Sequence, residues 1–168
     1  MVPMNYERWY ANISAPFRSV SAKRALTVLD KGLVYAIAAL YLVTLAYLAF
    51  TADVRFWRAL IVPGATFALV TVLRAALDKP RPYEEHAIDP IIKKDTHGKS
   101  LPSRHVASAV IIACTLAWLN PPLGVAAFAA CFIVAFTRIV GGVHYPRDVI
   151  ASLAISLAAG LIGFVLIP

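Results

Sequence analysis

The sequence carries little charge for its length. Only 15% of its 168 residues are charged, whereas 60% are hydrophobic and the mean hydropathy is +0.73. A soluble domain is typically about half apolar and about a quarter charged. The composition therefore excludes an ordinary soluble domain and predicts an integral membrane protein. The apolar runs after residue 32 leave no room for a second, soluble domain.

Acidic residues and cysteines are also scarce. Sixteen basic side chains against nine acidic ones give a formal net charge of +7, which in a membrane protein suggests contact with anionic headgroups. Nucleic acid is not expected as a partner, because the basic residues do not form one stripe with aromatic residues between them. The two cysteines, Cys114 and Cys131, lie in apolar runs and are expected to be small buried residues.

The first thirty-one residues lack a long apolar run. They cannot supply the apolar middle of a cleavable signal peptide, so none is predicted. Residues 1–31 instead mix tryptophan and tyrosine with basic side chains, which is typical of an amphipathic segment in the headgroup region. A loosely ordered tail is the alternative.

Five apolar runs follow, and they predict an all-α fold. We expect a polytopic membrane helix bundle with about five spanning helices plus an N-terminal interfacial helix, forming one domain over residues 1–168. The predicted spans are 33–50, 56–77, 104–119, 123–137 and 148–167. With five spans, the N-terminus, the 78–103 loop and the 138–148 segment fall on one face of the membrane.

The 138–148 segment concentrates polar residues between two apolar runs. Pro146 can begin a helix, which places Asp148 in the first turn and His144 just before it. The carboxylate can then orient one imidazole nitrogen and leave the other free to attack. Arg138 ends the preceding run and supplies donors suited to phosphate. The pattern indicates a histidine nucleophile for a phosphoryl group; an ordinary polar loop is the alternative.

A second polar cluster lies at the end of the second predicted span. Arg74 stands in apolar surroundings and is followed by Lys79, Arg81 and Pro82. An ionisable side chain in such surroundings is a candidate for function. Snorkelling of Arg74 from the last turn to the interface is the alternative.

A third cluster begins the third predicted span. Ser103 can cap this helix, and its hydroxyl and the nearby backbone N–H groups form an anion site. Arg104 follows it. His105, in the same turn, can protonate a leaving oxygen.

Together the clusters make a three-part motif over residues 74–148. Its parts are Arg74-x6-Arg81-Pro82, then Pro102-Ser103-x-His105, and then Thr137-Arg138-x5-His144-x3-Asp148. In order and spacing this motif resembles that of the type 2 phosphatidic acid phosphatase family, which also includes the vanadium haloperoxidases.

The resemblance implies a role for each matching residue. His144 would be the nucleophile that forms a phosphohistidine, Asp148 would orient it, and His105 would protonate the leaving group. The residues expected to bind phosphate are Arg74, Arg81, Ser103 and Arg138. Lys79, at a variable position of the first part, is an accessory candidate. Family members need no metal, and no cofactor is expected.

The sequence departs from the family pattern at three positions. Arg74 stands where lysine is usual, so the positive charge is kept, but a forked guanidinium replaces a compact ammonium. Arg104 replaces a glycine; it is a second accessory candidate and can add charge near a diphosphate. Thr137 replaces a serine.

The predicted activity is that of a membrane lipid phosphatase. Candidate substrates are a polyprenyl diphosphate, phosphatidic acid, phosphatidylglycerol phosphate and a polyprenyl-linked sugar phosphate. The alternatives are a lipid phosphotransferase using the same histidine and a non-catalytic lipid-binding scaffold. The expected location is the cell membrane. Basic residues flanking the first span favour a cytoplasmic catalytic face, although many bacterial relatives that recycle polyprenyl carriers act on the outer face.

Overall fold

The computed structural model describes residues 5–166, which form helices and connecting loops without a strand. The helices are α1 (Tyr6–Ser14), α2 (Val20–Phe50), α3 (Phe56–Leu77), α4 (Pro82–Glu85), α5 (Arg104–Leu119), α6 (Pro121–Val140) and α7 (Pro146–Leu161). A π-helical turn, Ile162–Leu166, continues α7. The predicted all-α membrane bundle is confirmed.

Four of the segments are long and apolar enough to cross a membrane. They are Val20–Phe50, Phe56–Glu85, Pro121–Val140 and Pro146–Leu166. The remaining predicted span, α5, has the predicted bounds but only 16 residues, about 24 Å of helix. It packs against α2, α3, α6 and α7, and most of its residues are buried. The helix is therefore central to the bundle and is surrounded mainly by protein.

The first long helix starts earlier than the sequence analysis expected. α2 begins at Val20 rather than at residue 33, because Ser19 caps it: the Ser19 hydroxyl accepts a hydrogen bond from the Ala22 N–H at 3.2 Å. Residues 20–31 are thus continuous with the first membrane helix. Its 31 residues extend about 46 Å.

Small residues on α7 allow close packing against α5. The Ser152 and Ser156 hydroxyls donate to backbone carbonyl groups at the start of α5, at 3.0 and 2.9 Å. A Cβ atom added to Gly160 would lie 2.8 Å from the Cys114 sulfur. The four-residue spacing of these small side chains therefore forms a contact ridge, as expected for helices that pack in lipid.

The polar segments gather at one end of the bundle. The Ile92 N–H, in the loop before α5, donates to the Gly141 carbonyl at 3.0 Å. Tyr10 of α1 donates to the Val140 carbonyl at 3.0 Å and accepts from the Ile91 N–H at 3.2 Å. These bonds tie α1, the long loop and the end of α6 together.

Candidate active site

His144 lies two residues before α7 and Asp148 lies in its first turn, and both side chains are buried. Nδ1 of His144 is 3.5 Å from Oδ2 of Asp148, which is longer than an ordinary hydrogen bond. The same oxygen accepts a hydrogen bond from the Tyr145 N–H at 3.0 Å. The other oxygen, Oδ1, is 3.8 Å from Nε of Arg147. The predicted pair is thus brought together, and the backbone fixes the carboxylate.

Ser100, which the sequence analysis did not single out, lies between the members of this pair. Its hydroxyl oxygen is 2.5 Å from Oδ2 of Asp148 and 3.4 Å from Nδ1 of His144. A hydroxyl has one proton to donate, and the carboxylate only accepts. Ser100 therefore donates to Asp148 and accepts from His144, which assigns the imidazole proton to Nδ1. Nε2 is left with a free electron pair.

Burial also controls the charge of His144. Desolvation lowers the pKa of His144 below its ordinary value. The Asp148 carboxylate raises this pKa, but its influence is smaller than that of burial. The positive charges of Arg81 and Arg138 reinforce the lowering. The imidazole is therefore neutral at neutral pH, which is the form that can act as a nucleophile.

Arg74 and Arg81 donate hydrogen bonds to backbone carbonyl groups around the site. One Nη of Arg74 donates to the Pro102 carbonyl at 2.6 Å. Arg81, which is buried, donates from Nε to the Gly98 carbonyl at 3.1 Å and from Nη1 to the Val143 carbonyl at 3.4 Å. Both arginines therefore lie next to the segments that carry Ser103 and His144.

Arg138 forms a buried ion pair with Asp30, a residue of α2 that the sequence analysis missed. Nε of Arg138 is 2.9 Å from Oδ1 of Asp30, and each side chain is 2% exposed. Nε and Nη1 nevertheless lack an aligned hydrogen-bond acceptor within residues 5–166. The Thr137 hydroxyl donates to the same aspartate oxygen at 3.1 Å. A buried guanidinium with unused donors is suited to an anion.

Ser103 and His105 begin α5 on the same side as Arg138. Ser103 occupies the N-cap position, but its hydroxyl makes no capping bond, so the predicted capping role is wrong. This buried hydroxyl has no hydrogen-bond partner among the described residues. The link from Ser103 to α7 is made by its backbone N–H, which donates to the Asp148 carbonyl at 3.2 Å. His105 is half-buried and lines a cavity of about 510 Å³ together with Arg138 and Asp30.

The two accessory candidates occupy exposed positions. The backbone carbonyl of Lys79 accepts a hydrogen bond from the Ser100 N–H at 2.8 Å. The Arg104 guanidinium lies 5.6 Å from the centre of the Phe67 ring on α3. Arg104 therefore faces α3, whereas the cavity at His105 lies beside α2.

Of the residues that were missed, Asp30 had a signal in the sequence. It shares a buried stripe with Leu26 and Ile37, at spacings of four and seven residues. An acidic residue on an apolar helical stripe is a candidate for function in a membrane protein. Ser100 had no comparable signal, since it lies in a polar loop outside the motif.

Comparison with known proteins identifies the family. A family profile described as the PAP2 superfamily matches residues 33–168 and so includes all three parts of the motif. The chain belongs to the PAP2 superfamily. The resemblance on which the sequence analysis relied is therefore confirmed.

Individual PAP2 proteins are similar to this chain. The undecaprenyl-diphosphatase BcrC of Bacillus subtilis is 30% identical over 86 residues, 51% of this chain and 44% of that protein. The match thus spans less than half the length of this curated relative.

Two solved PAP2 structures share the fold. LpxE of Aquifex aeolicus superposes with a TM-score of 0.73 at 22% identity, covering 93% of this chain and 92% of that one. A transmembrane PAP2-type phosphatidylglycerolphosphate phosphatase of Bacillus subtilis superposes with a TM-score of 0.56 at 18% identity, covering 93% and 90%. At these identities the likeness establishes the fold, that of a multi-pass membrane protein.

Proposed function

We propose that this PAP2 protein is a membrane lipid phosphatase that releases phosphate from a lipid phosphate or diphosphate. The observation that carries the proposal is the buried, neutral His144, held beside Asp148 and Ser100 near an arginine with unused donors. The similar proteins are named for phosphatase activity on undecaprenyl diphosphate and phosphatidylglycerolphosphate. Lipids of these classes, phosphatidic acid and polyprenyl-linked sugar phosphates are the candidate substrates.

In the first step of the proposed reaction, Nε2 of His144 attacks the phosphorus atom. A nitrogen–phosphorus bond forms, and the bond from phosphorus to the leaving oxygen breaks. His105, which takes up a proton when the anionic substrate lies beside it, gives this proton to that oxygen. The substituted imidazole ring carries a positive charge, which the Asp148 carboxylate stabilises.

In the second step, water attacks the phosphorus atom of the phosphohistidine. His105, now neutral, takes a proton from the water, and the nitrogen–phosphorus bond breaks. Inorganic phosphate leaves, and His144 returns to its neutral form with a proton on Nδ1.

Charge on the phosphoryl oxygens is neutralised by the residues around the nucleophile. We assign this role to Arg74, Arg81, Ser103 and Arg138. The unused Arg138 donors and the unpartnered Ser103 hydroxyl support the assignment, because buried polar groups need partners. Preorganised donors of this kind stabilise the charge that moves during phosphoryl transfer.

We place the catalytic face on the cytoplasmic side. Lys23, Arg24 and Lys31 lie on the part of α2 near the site, whereas Arg55 and Arg58 lie near its other end, and the larger basic count marks the cytoplasm. The test replaces the exposed Asp95 by cysteine in a background without Cys114 and Cys131. We expect an impermeant thiol reagent to label this cysteine in inverted vesicles but not in intact cells. Labelling in intact cells would contradict the placement.

The activity is tested by measuring phosphate release from lipid monophosphates and diphosphates in detergent. We expect His144→Ala to abolish release while the protein elutes as a folded species in size-exclusion chromatography. His97→Ala is the matched control, because the His97 side chain is 84% exposed in the loop. Full activity of folded His144→Ala would overturn the proposal.

A further inference from the structure

A basic cavity lies beside the candidate active site, between α2, α6 and the loop before α5. It has a volume of about 510 Å³. Four lysines lie on its wall: Lys23, Lys31, Lys93 and Lys94. Arg138 and His105 complete the basic part, and the acidic residue on the wall, Asp30, is paired with Arg138. The cavity is therefore strongly positive.

The position of His105 indicates which part of a substrate this cavity holds. In phosphoryl transfer the attacking and leaving atoms lie roughly in line on opposite sides of phosphorus. His105, the acid for the leaving oxygen under the proposed function, is on the cavity wall, and His144 is not among the lining residues. The cavity therefore begins at the reacting phosphate, which Arg138 is proposed to bind, and its lysine-lined part extends beyond His105 on the leaving-group side.

The charge of the cavity indicates what that leaving group carries. Lys94 is half-buried, and desolvation together with the Arg138 charge lowers the pKa of Lys94 to about 8. No carboxylate in the described part of the chain forms an ion pair with this ammonium; Asp30 pairs with Arg138 instead. A partly desolvated ammonium is stabilised when an anion joins it. A neutral alcohol would leave the lysines without a partner.

The apolar part of the wall suits a lipid chain. Val34 and Tyr35 line the cavity one turn beyond Lys31 on α2, and Tyr35 is 72% exposed. The cavity is thus basic near His105 and apolar towards the membrane helices. An amphiphile with an anionic head and an apolar tail matches both parts.

We propose that the lysine cavity binds a second phosphate on the leaving portion of the substrate. The substrate class is then a lipid with two phosphates, joined directly as a diphosphate or separated by a glycerol unit. For a diphosphate, His144 attacks the terminal phosphorus, the bond from that phosphorus to the bridging oxygen breaks, and the lipid monophosphate leaves with its charge beside Lys94. This inference rests on the proposed function and adds a subsite to it.

The test compares substrates with one and two phosphates. The panel contains a polyprenyl monophosphate and diphosphate with the same tail, phosphatidic acid and phosphatidylglycerol phosphate. We expect Lys94→Gln to lower kcat/KM for two-phosphate lipids by about tenfold to a hundredfold, as for a lost charge-assisted hydrogen bond. For one-phosphate lipids we expect less than about a threefold change. Lys94→Arg, which keeps the charge, should stay near wild type.

Lys99→Gln is the matched control, because Lys99 is exposed in the same loop and does not line the cavity. A loss confined to the polyprenyl diphosphate identifies the direct diphosphate as the ligand, and a loss on phosphatidylglycerol phosphate identifies the glycerol-separated form. Equal losses on lipids with one and two phosphates, or no loss on either, would overturn the inference.

His144→Ala in the same panel separates the two proposals. If it abolishes release while Lys94→Gln affects both substrate classes equally, the phosphatase assignment stands and the lysine subsite falls. If His144→Ala keeps full activity, both proposals fall.

Discussion

The two sides of the candidate active site differ in how far the protein completes them. On the nucleophile side, made of His144, Asp148 and Ser100, hydrogen bonds link the serine, the carboxylate and the backbone. On the anion side, made of Arg138, Ser103 and His105, the Ser103 hydroxyl has no hydrogen-bond partner among residues 5–166, and Nε and Nη1 of Arg138 have no aligned acceptor there, although Nε forms the ion pair with Asp30. Oδ1 of Asp148 also lacks a hydrogen-bond donor among these residues, but Oδ2, the oxygen that faces His144, is held by Ser100 and the Tyr145 N–H without a ligand. On the anion side, the unused groups are donors, which an anion would satisfy.

The largest expected effect comes from a substitution that disrupts the nucleophile side alone. We expect Asp148→Asn to lower kcat by about a thousandfold or more, because an amide cannot stabilise the charged imidazole and favours the wrong tautomer. Binding of inorganic phosphate or vanadate should change little, because the anion side is intact. Kinetics and vanadate inhibition measure the two quantities. A loss of vanadate affinity as large as the loss of kcat would contradict the separation of the sides.

The next effect tests the support of the anion side. We expect Asp30→Ala to lower the free energy of unfolding by about 3–5 kcal/mol, because it leaves the buried Arg138 charge without its partner. The double variant Asp30→Ala/Arg138→Met should recover most of this loss, since neither charge then remains. Reversible unfolding in detergent gives the four values of a double-mutant cycle. If the losses of the two single variants simply add in the double variant, Asp30 and Arg138 are not energetically coupled.

A smaller effect tests the tautomer assigned to His144. We expect Ser100→Ala to lower kcat by about tenfold, in proportion to one lost hydrogen bond to a charged group. Ser100→Thr keeps the hydroxyl and should retain more activity than the alanine variant. Activity of Ser100→Ala equal to that of the wild type would contradict a positioning role for Ser100.

The smallest effect concerns pH. Because burial lowers the pKa of His144, the unfolded state binds a proton below about pH 6.5 that the folded state does not. The contribution of His144 to the free energy of unfolding should therefore be constant above this pH and fall below it, by about 1.4 kcal/mol per pH unit. His144→Gln should lack this component when unfolding is followed between pH 7.5 and about 5.5. Identical pH dependence in the two proteins would contradict a neutral, buried His144.

The sequence predicted the helices well, because uncharged runs of sufficient length are local patterns that define spans. The motif spacing also singled out Arg74, His105 and His144, whose roles stay predictions. The start of α2 was missed because lysine, arginine and aspartate between residues 20 and 31 make this part look polar, although one stripe of it is buried. An apolar run likewise has the same composition whether lipid or protein surrounds it, so the central position of α5 was hidden.

The contacts that complete the site are long-range. The Thr137–Asp30 bond joins residues 107 positions apart, and the Ser100–Asp148 bond joins residues 48 positions apart. No local pattern specifies such pairs, because they depend on which helices become neighbours. The lysine cavity has the same origin, since Lys31 comes from α2 and Lys94 from the loop before α5.

The length of α2 sets the depth of the candidate active site relative to the membrane. Residues 33–50 are uncharged and extend about 27 Å, close to the hydrocarbon thickness of about 30 Å. Residues 20–32 add about 20 Å beyond it, and they carry Asp30 and Lys31. The site therefore stands at the level of the lipid headgroups, where phosphates already lie. Under the proposed function, a lipid substrate would be dephosphorylated while its tail stays in the bilayer, so no free energy would be needed to extract it.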